Sequence, residues 1–282
     1  MLGKLLKYEL RATGRTFWPL FLGILLFGLI NRYFYMGYTN APGLTGEIIQ
    51  NISIFLYGAL IMSSFVAILI VVIQRFYRNL LGTEGYLMFT LPVKPWQLVF
   101  SKVIATFIWY IVASVVLVIS LIFIFGELYM IDDIIYFFQY VFPEAAYELR
   151  MEFGIPWGLW VAEISVAGII SLVSSLLLLY AAISMGHLTV KAKKLSAFAW
   201  FLALNALTGI VTTVVYAISG LSSNFYSFFI YLLDSYQLLV EPMSFAALFH
   251  YNVLASTLIS AAFAVFSYFL IRWVFAKKLN IE

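Results

Sequence analysis

Apolar residues along this chain gather into six long runs, and most of the charged residues fall between them. The runs lie at Phe17 to Tyr38, Ile52 to Ile73, Val103 to Phe125, Trp157 to Met185, Leu195 to Ile218 and Leu248 to Phe275. A helix rises about 1.5 Å per residue and a bilayer's hydrocarbon core is about 30 Å thick, so about 20 mostly apolar residues cross it. Each run meets that length. The pattern predicts an all-α integral membrane protein with six transmembrane helices, organised as a single transmembrane domain over residues 1–282. One further stretch, Phe225 to Val240, is apolar and aromatic, but Asp234 interrupts it and Pro242 closes it. It is expected to be a re-entrant or interfacial element on the outer side, or an outer loop lying on the headgroups.

Composition agrees: 64% of residues are hydrophobic and 10% charged, with a mean hydropathy of +1.02. Charge placement sets the orientation, because Lys and Arg are retained on the cytoplasmic side of short loops. With both termini inside a cell membrane, the cytoplasmic side holds 14 of the 16 basic residues, leaving only Arg32 and Arg150 outside. An odd number of spans would put Lys277 and Lys278 on the wrong side. No small-residue cleavage site follows the first apolar run, so the N-terminus is not read as a signal peptide. Over residues 1–16, Lys4, Lys7, Arg11 and Arg15 recur at helical spacing while Leu2, Leu5, Leu6 and Leu10 occupy much of the other face. Such a helix is expected in the headgroup plane, as an orientation anchor, a partner contact or both. The segment Gly126 to Pro156 carries six acidic residues against Arg150, and its apolar residues predict a helix against the outer surface of the bundle.

The inventory offers little to catalysis. His187 and His250 are the only histidines, cysteine is absent, and neither H-E-x-x-H nor G-x-S-x-G occurs. An enzyme, a cofactor or metal in this chain, and a nucleic-acid partner are not expected. The phosphate-cradling G-x-x-x-x-G-K-[ST] is missing too, so ATP-driven work needs another subunit. Within the spans Glu163 stands out, since a carboxylate at membrane depth is costly and suggests a cargo contact or a proton site; a hydrogen-bonded acid packed near Trp157 and Trp160 is the plainer reading. Ser171 and Ser174 belong to a run of small residues that serves either tight helix packing or a polar stripe along a cargo path.

The connection between the second and third runs is richer than a turn requires. Arg75 to Leu81 is expected to prolong the second helix to Gly82. Thr83 then caps a short helix whose first turn holds Glu84 and whose body presents Tyr86, Leu87, Met88, Phe89 and Leu91 before Pro92 stops it. Pro95 sits where the next helix starts. A Met among aromatics on a cytoplasmic connection suits a docking knob, the alternative being burial at the membrane interface.

The stretch RFYRNLLGTEGYLMFTLPVKPWQLVFSK resembles the signature region of ABC-2-type permeases, in particular the small six-span permeases of Gram-positive bacteria whose ATPase is a separate polypeptide. MLGKLLKYELRATGR is similar to their amphipathic connecting helix. The resemblance implies the type V exporter fold, a coupling helix at Gly82 to Pro92 that docks on the ATPase, and a second, smaller contact around Lys191, Lys193 and Lys194. It also implies a 2+2 complex of two permease copies and two ATPase subunits, with ATP and Mg bound by the partner, and export of an amphipathic or hydrophobic cargo. A toxin-like or bacteriocin-like peptide is the favoured cargo, with lipid, drug or antibiotic as alternatives. Two other functions are compatible with the residues themselves: a passive channel or secondary transporter that uses Glu163, and a membrane scaffold or sensor that moves nothing.

Overall fold

The computed structural model describes residues 1–37, 44–82, 93–126, 130–189, 192–234 and 245–278, and all of the regular structure among them is helical. Among the described residues six helices are long and apolar enough to cross a membrane, as in a multi-pass helical membrane protein. By contacts it divides into two compact units, Met1–Asp132 and Asp133–Glu282.

The first unit is built from α1 (Leu2–Gly37), α2 (Leu44–Phe76) and α3 (Pro95–Phe125). The expected interface helix over 1–16 and the first span form one helix of 36 residues, with Pro19 inside it. Proline removes one backbone hydrogen bond, yet the winding continues because Phe17 and Phe21, on either side of it, are buried. Their partner is Trp109 of α3, whose ring stands 4.9 Å from that of Phe17, edge on, and 6.0 Å from that of Phe21. The Trp109 indole N–H donates to Thr13 Oγ1 at 2.7 Å, fixing the register of α1 on α3.

At the opposite end of this unit Arg32 of α1 donates to the carbonyls of Phe123 and Gly126, at 3.0 and 2.7 Å. The last carbonyls of a helix lack intrahelical partners and carry partial negative charge, so a guanidinium there answers both needs. This is why one of the two basic residues outside the charge pattern stands where it does. Between the ends, the hydroxyls of Tyr57 on α2 and Ser120 on α3 are 2.6 Å apart.

After Phe76 the backbone widens into a π-helical turn, Tyr77–Leu81, with Asn79, Leu80 and Leu81 buried. It stops at Gly82, where a Cβ would lie 2.7 Å from the Arg78 carbonyl oxygen. Lys94 opens α3, with Gln97 Oε1 accepting from the Lys94 backbone N–H at 3.3 Å and Pro95 in the first turn.

Among its described residues the second unit holds the acidic segment before Pro156 and three long helices. α4 (Met130–Tyr136) runs through a π-helical turn, Phe137–Val141, into α5 (Phe142–Phe153), and neither the turn nor α5 buries a residue. α6 (Trp157–Gly186), α7 (Lys193–Asp234) and α8 (Phe245–Lys278) follow. α6 and α8 pack most extensively, with α6 burying Leu176, Leu177, Tyr180, Ala181 and Ala182 and α8 burying Phe263, Ser267, Ile271 and Val274. α6 meets α7 at Gly186, where a Cβ would lie 2.4 Å from backbone atoms of Ala197; only glycine permits that approach. The fifth span was expected to end at Ile218, but α7 runs 42 residues to Asp234. Residues 225–234 are therefore the end of that helix and not a separate re-entrant element, while 235–240 lie outside the described residues.

Candidate functional site

The proposed docking residues Glu84, Tyr86, Leu87, Met88, Phe89, Leu91 and Pro92 lie outside the described residues, as does Lys191. What the structure describes is how the chain enters and leaves that segment. The N-terminal part of α1, the C-terminal part of α2 and the N-terminal part of α3 meet at one carboxylate, Glu9. Lys102 Nζ lies 2.5 Å from Glu9 Oε1, and Arg75 Nε lies 3.3 Å from Oε2. Lys102 is only 5% exposed, so its ammonium is out of bulk water, and a carboxylate facing it offsets part of the cost of burying it.

The local sequence explains the convergence. Glu9 lies one helical turn before Thr13, so the Trp109–Thr13 bond carries the carboxylate to α3, and the Thr13 hydroxyl donates back to the Glu9 carbonyl at 2.8 Å. Lys102 lies two turns before Trp109 on α3, which places it on the same side of that helix. The basic residues expected on the N-terminal helix, Lys4, Lys7, Arg11 and Arg15, are all exposed on α1. At the start of α7, Lys193 is half-buried and Lys194 exposed.

A second ionic site lies at the N-terminal ends of α6 and α8. Glu163 Oε2 is 2.6 Å from His250 Nδ1, and His250 Nε2 is 2.9 Å from the Phe153 carbonyl at the end of α5. A carbonyl only accepts, so Nε2 carries a hydrogen and donates it. The Nδ1 contact is a hydrogen bond between the ring and the Glu163 carboxyl group. Aromatic rings enclose the pair: Phe153 lies 4.8 Å from Phe249 and 5.5 Å from Trp160. Both side chains keep 26% of their surface exposed.

Glu163 is hydrogen-bonded, and its histidine partner is one that the sequence reading did not pair with it. Of the other expected cargo-path residues, Ser171 is exposed and Ser174 buried, and they lie about 12 and 16 Å along the helix from Glu163, by 1.5 Å per residue. In the same unit an open, wholly apolar cavity of about 250 Å³ lies between α7 and α8, lined by Leu207, Val211, Ala262, Phe263 and Phe266.

Protein-family models, curated proteins and solved structures were compared with the chain, and none matches it. The functional reading rests on the residues and the geometry above.

Proposed function

We propose that this chain is the transmembrane permease subunit of an ATP-binding cassette exporter, driven by a separate ATPase that docks on the segment from Gly82 to Pro92. The observation that carries the reading is the placement of that signature-like segment. It joins two long apolar helices on the basic side of the chain, and both of its roots are fastened to α1 through Glu9. The missing phosphate-binding loop assigns ATP and Mg to the partner subunit. Two permease copies facing each other and two ATPases complete the assembly, in the cytoplasmic membrane with both termini inside.

ATP binding closes the ATPase pair and displaces the docked segments, shifting the spans between states of different cargo affinity. An amphipathic or hydrophobic cargo, with a peptide favoured, suits a chain that is 19% aromatic. The reading predicts a P-loop ATPase in the neighbouring reading frame, and is tested by co-purifying the chain with that subunit, then replacing Tyr86, Met88 and Phe89 together with Glu. Complex formation and ATP-dependent transport are expected to be lost together. Survival of both removes the docking role.

A second reading, proton-coupled transport without an ATPase, is supported by the contact of Glu163 with His250, an acid and an imidazole 2.6 Å apart on two helices apolar enough to cross a membrane. Transport by the chain alone in vesicles under a proton gradient, abolished in E163Q, is the result that favours it.

A further inference from the structure

Near the end of α1 that carries Arg32, the first unit buries a layer of polar side chains drawn from all three of its helices. Asn31 of α1, Ser53 and Tyr57 of α2 and Ser120 of α3 are each less than a tenth exposed. Most of their polar atoms are paired. The Ser120 hydroxyl donates to the Leu117 carbonyl at 2.8 Å, so across the 2.6 Å contact between the two hydroxyls Tyr57 is the donor and Ser120 the acceptor. The Asn31 amide nitrogen donates to the Phe27 carbonyl at 2.8 Å and reaches toward the Ser53 carbonyl at 3.5 Å. Turning that amide over would set two oxygens 2.8 Å apart, so the nitrogen stays on Phe27 and Oδ1 on the other side of the amide.

Two atoms of the layer remain. Asn31 Oδ1 and Ser53 Oγ are buried and make no hydrogen bond within the protein. The other buried serines of this unit, Ser64, Ser101 and Ser120, donate to a carbonyl three positions earlier, and Ser53 does not. An unmet acceptor and an unmet hydroxyl thus belong to two residues that already approach each other, across a contact long enough for the direct bond to be weak. Leaving both unmet is costly, because buried polar groups pair with protein or with ordered water.

We infer that Asn31 and Ser53 bind one water molecule between them, which donates to Asn31 Oδ1 and accepts from the Ser53 hydroxyl. The chemistry of the two residues selects this ligand. An anion cannot donate to Oδ1, and a cation would lie against the Asn31 amide hydrogens, which reach toward the same residue of α2; water meets neither objection. Bound there, it completes a polar layer that runs from α1 through the water to α2 and on to α3. Between apolar helices such bonds fix how the helices pack.

The cleanest test is S53A, which removes an atom that bonds to nothing in the protein. If that atom is idle, its loss leaves the thermal transition unchanged or raises it. With the water bound, S53A takes away one of its anchors, and the transition is expected to fall by about 2–4 °C, the shift for one net hydrogen bond in a chain of this size. In an N31L background the same change is expected to have no effect, since the acceptor is already gone. A transition that S53A raises or leaves alone overturns the inference, as does an equal fall in both backgrounds.

X-ray radiolysis of the full-length chain in nanodiscs, in isotopically labelled water, reads the site without N31L. Tyr57 lies one turn from Ser53 and is only 7% exposed, so label reaches its ring from an internal water and not from bulk. The wild type is expected to incorporate oxygen label at Tyr57 and S53A to lose most of it. No incorporation in the wild type, or equal incorporation in both, defeats the water site.

Discussion

Two acidic residues of this molecule pair with basic side chains on other helices, and their surroundings are opposite in kind. Glu9 lies between two cations, beside a lysine almost fully buried. Glu163 faces one imidazole, in a pair that keeps about a quarter of its surface exposed. Removing the first carboxylate takes an ion-pair partner from a buried lysine, whereas the second pair is open enough for water to replace a lost partner at smaller cost. A buried ion pair thus accompanies the elaborate connection, and a partly exposed one accompanies the ends of α5, α6 and α8.

The sharpest way to break this contrast is E9A. It leaves the Lys102 ammonium buried without its carboxylate, for which a loss of about 3–5 kcal/mol is expected; thermal unfolding in detergent, followed by circular dichroism, checks it. A transition unchanged from the wild type would mean that Lys102 has ready access to water. The next effect lies away from both acids. G186V forces a side chain into the backbone of Ala197, and about 1–3 kcal/mol of destabilisation is expected from overpacking, confined to the second unit and readable there by local hydrogen exchange.

At the other pole of the comparison, H250F keeps the aromatic packing against Phe249 but removes both hydrogen bonds. A cost of about 1–2 kcal/mol follows from the net worth of such bonds, with faster exchange of the α5 amides as the specific sign. The smallest effect is expected from R75Q. Arg75 is the more exposed cation of the first site, so its loss costs about 1 kcal/mol or less, as for partly solvated ion pairs. A larger loss than that of E9A would show that Arg75, and not Lys102, is the partner Glu9 chiefly serves.

The six long helices were legible because continuous hydrophobicity needs no tertiary information. Helix ends were less so. The sequence reading broke α1 at Thr16, since basic residues suggested a change of environment, but burial of Phe17 and Phe21 against Trp109 carries the helix through Pro19. α7 passes Ile218 without a break because nothing in SNFYSFFIYLLD forbids a helix until after Asp234. Glu9 was invisible for a different reason. It is one acid in a stretch characterised by its cations, and its partners stand on two other helices, brought together by packing that no local pattern encodes. The same holds for His250: the lone acid of the fourth span was noticed, but the complementary histidine is 87 positions away. Arg32 was marked as an exception to the charge pattern, and its use as the terminal donor of α3 appears only once α1 and α3 are side by side.

That last contact, taken with the first, makes α1 a splint. Glu9 grips α3 near its start and Arg32 grips it at its end, the two residues being separated by about 35 Å of helix at 1.5 Å per residue. Sliding α3 along α1 by one helical turn, about 5.4 Å, would break both grips at once. Axial slippage between these two helices is therefore opposed at both ends.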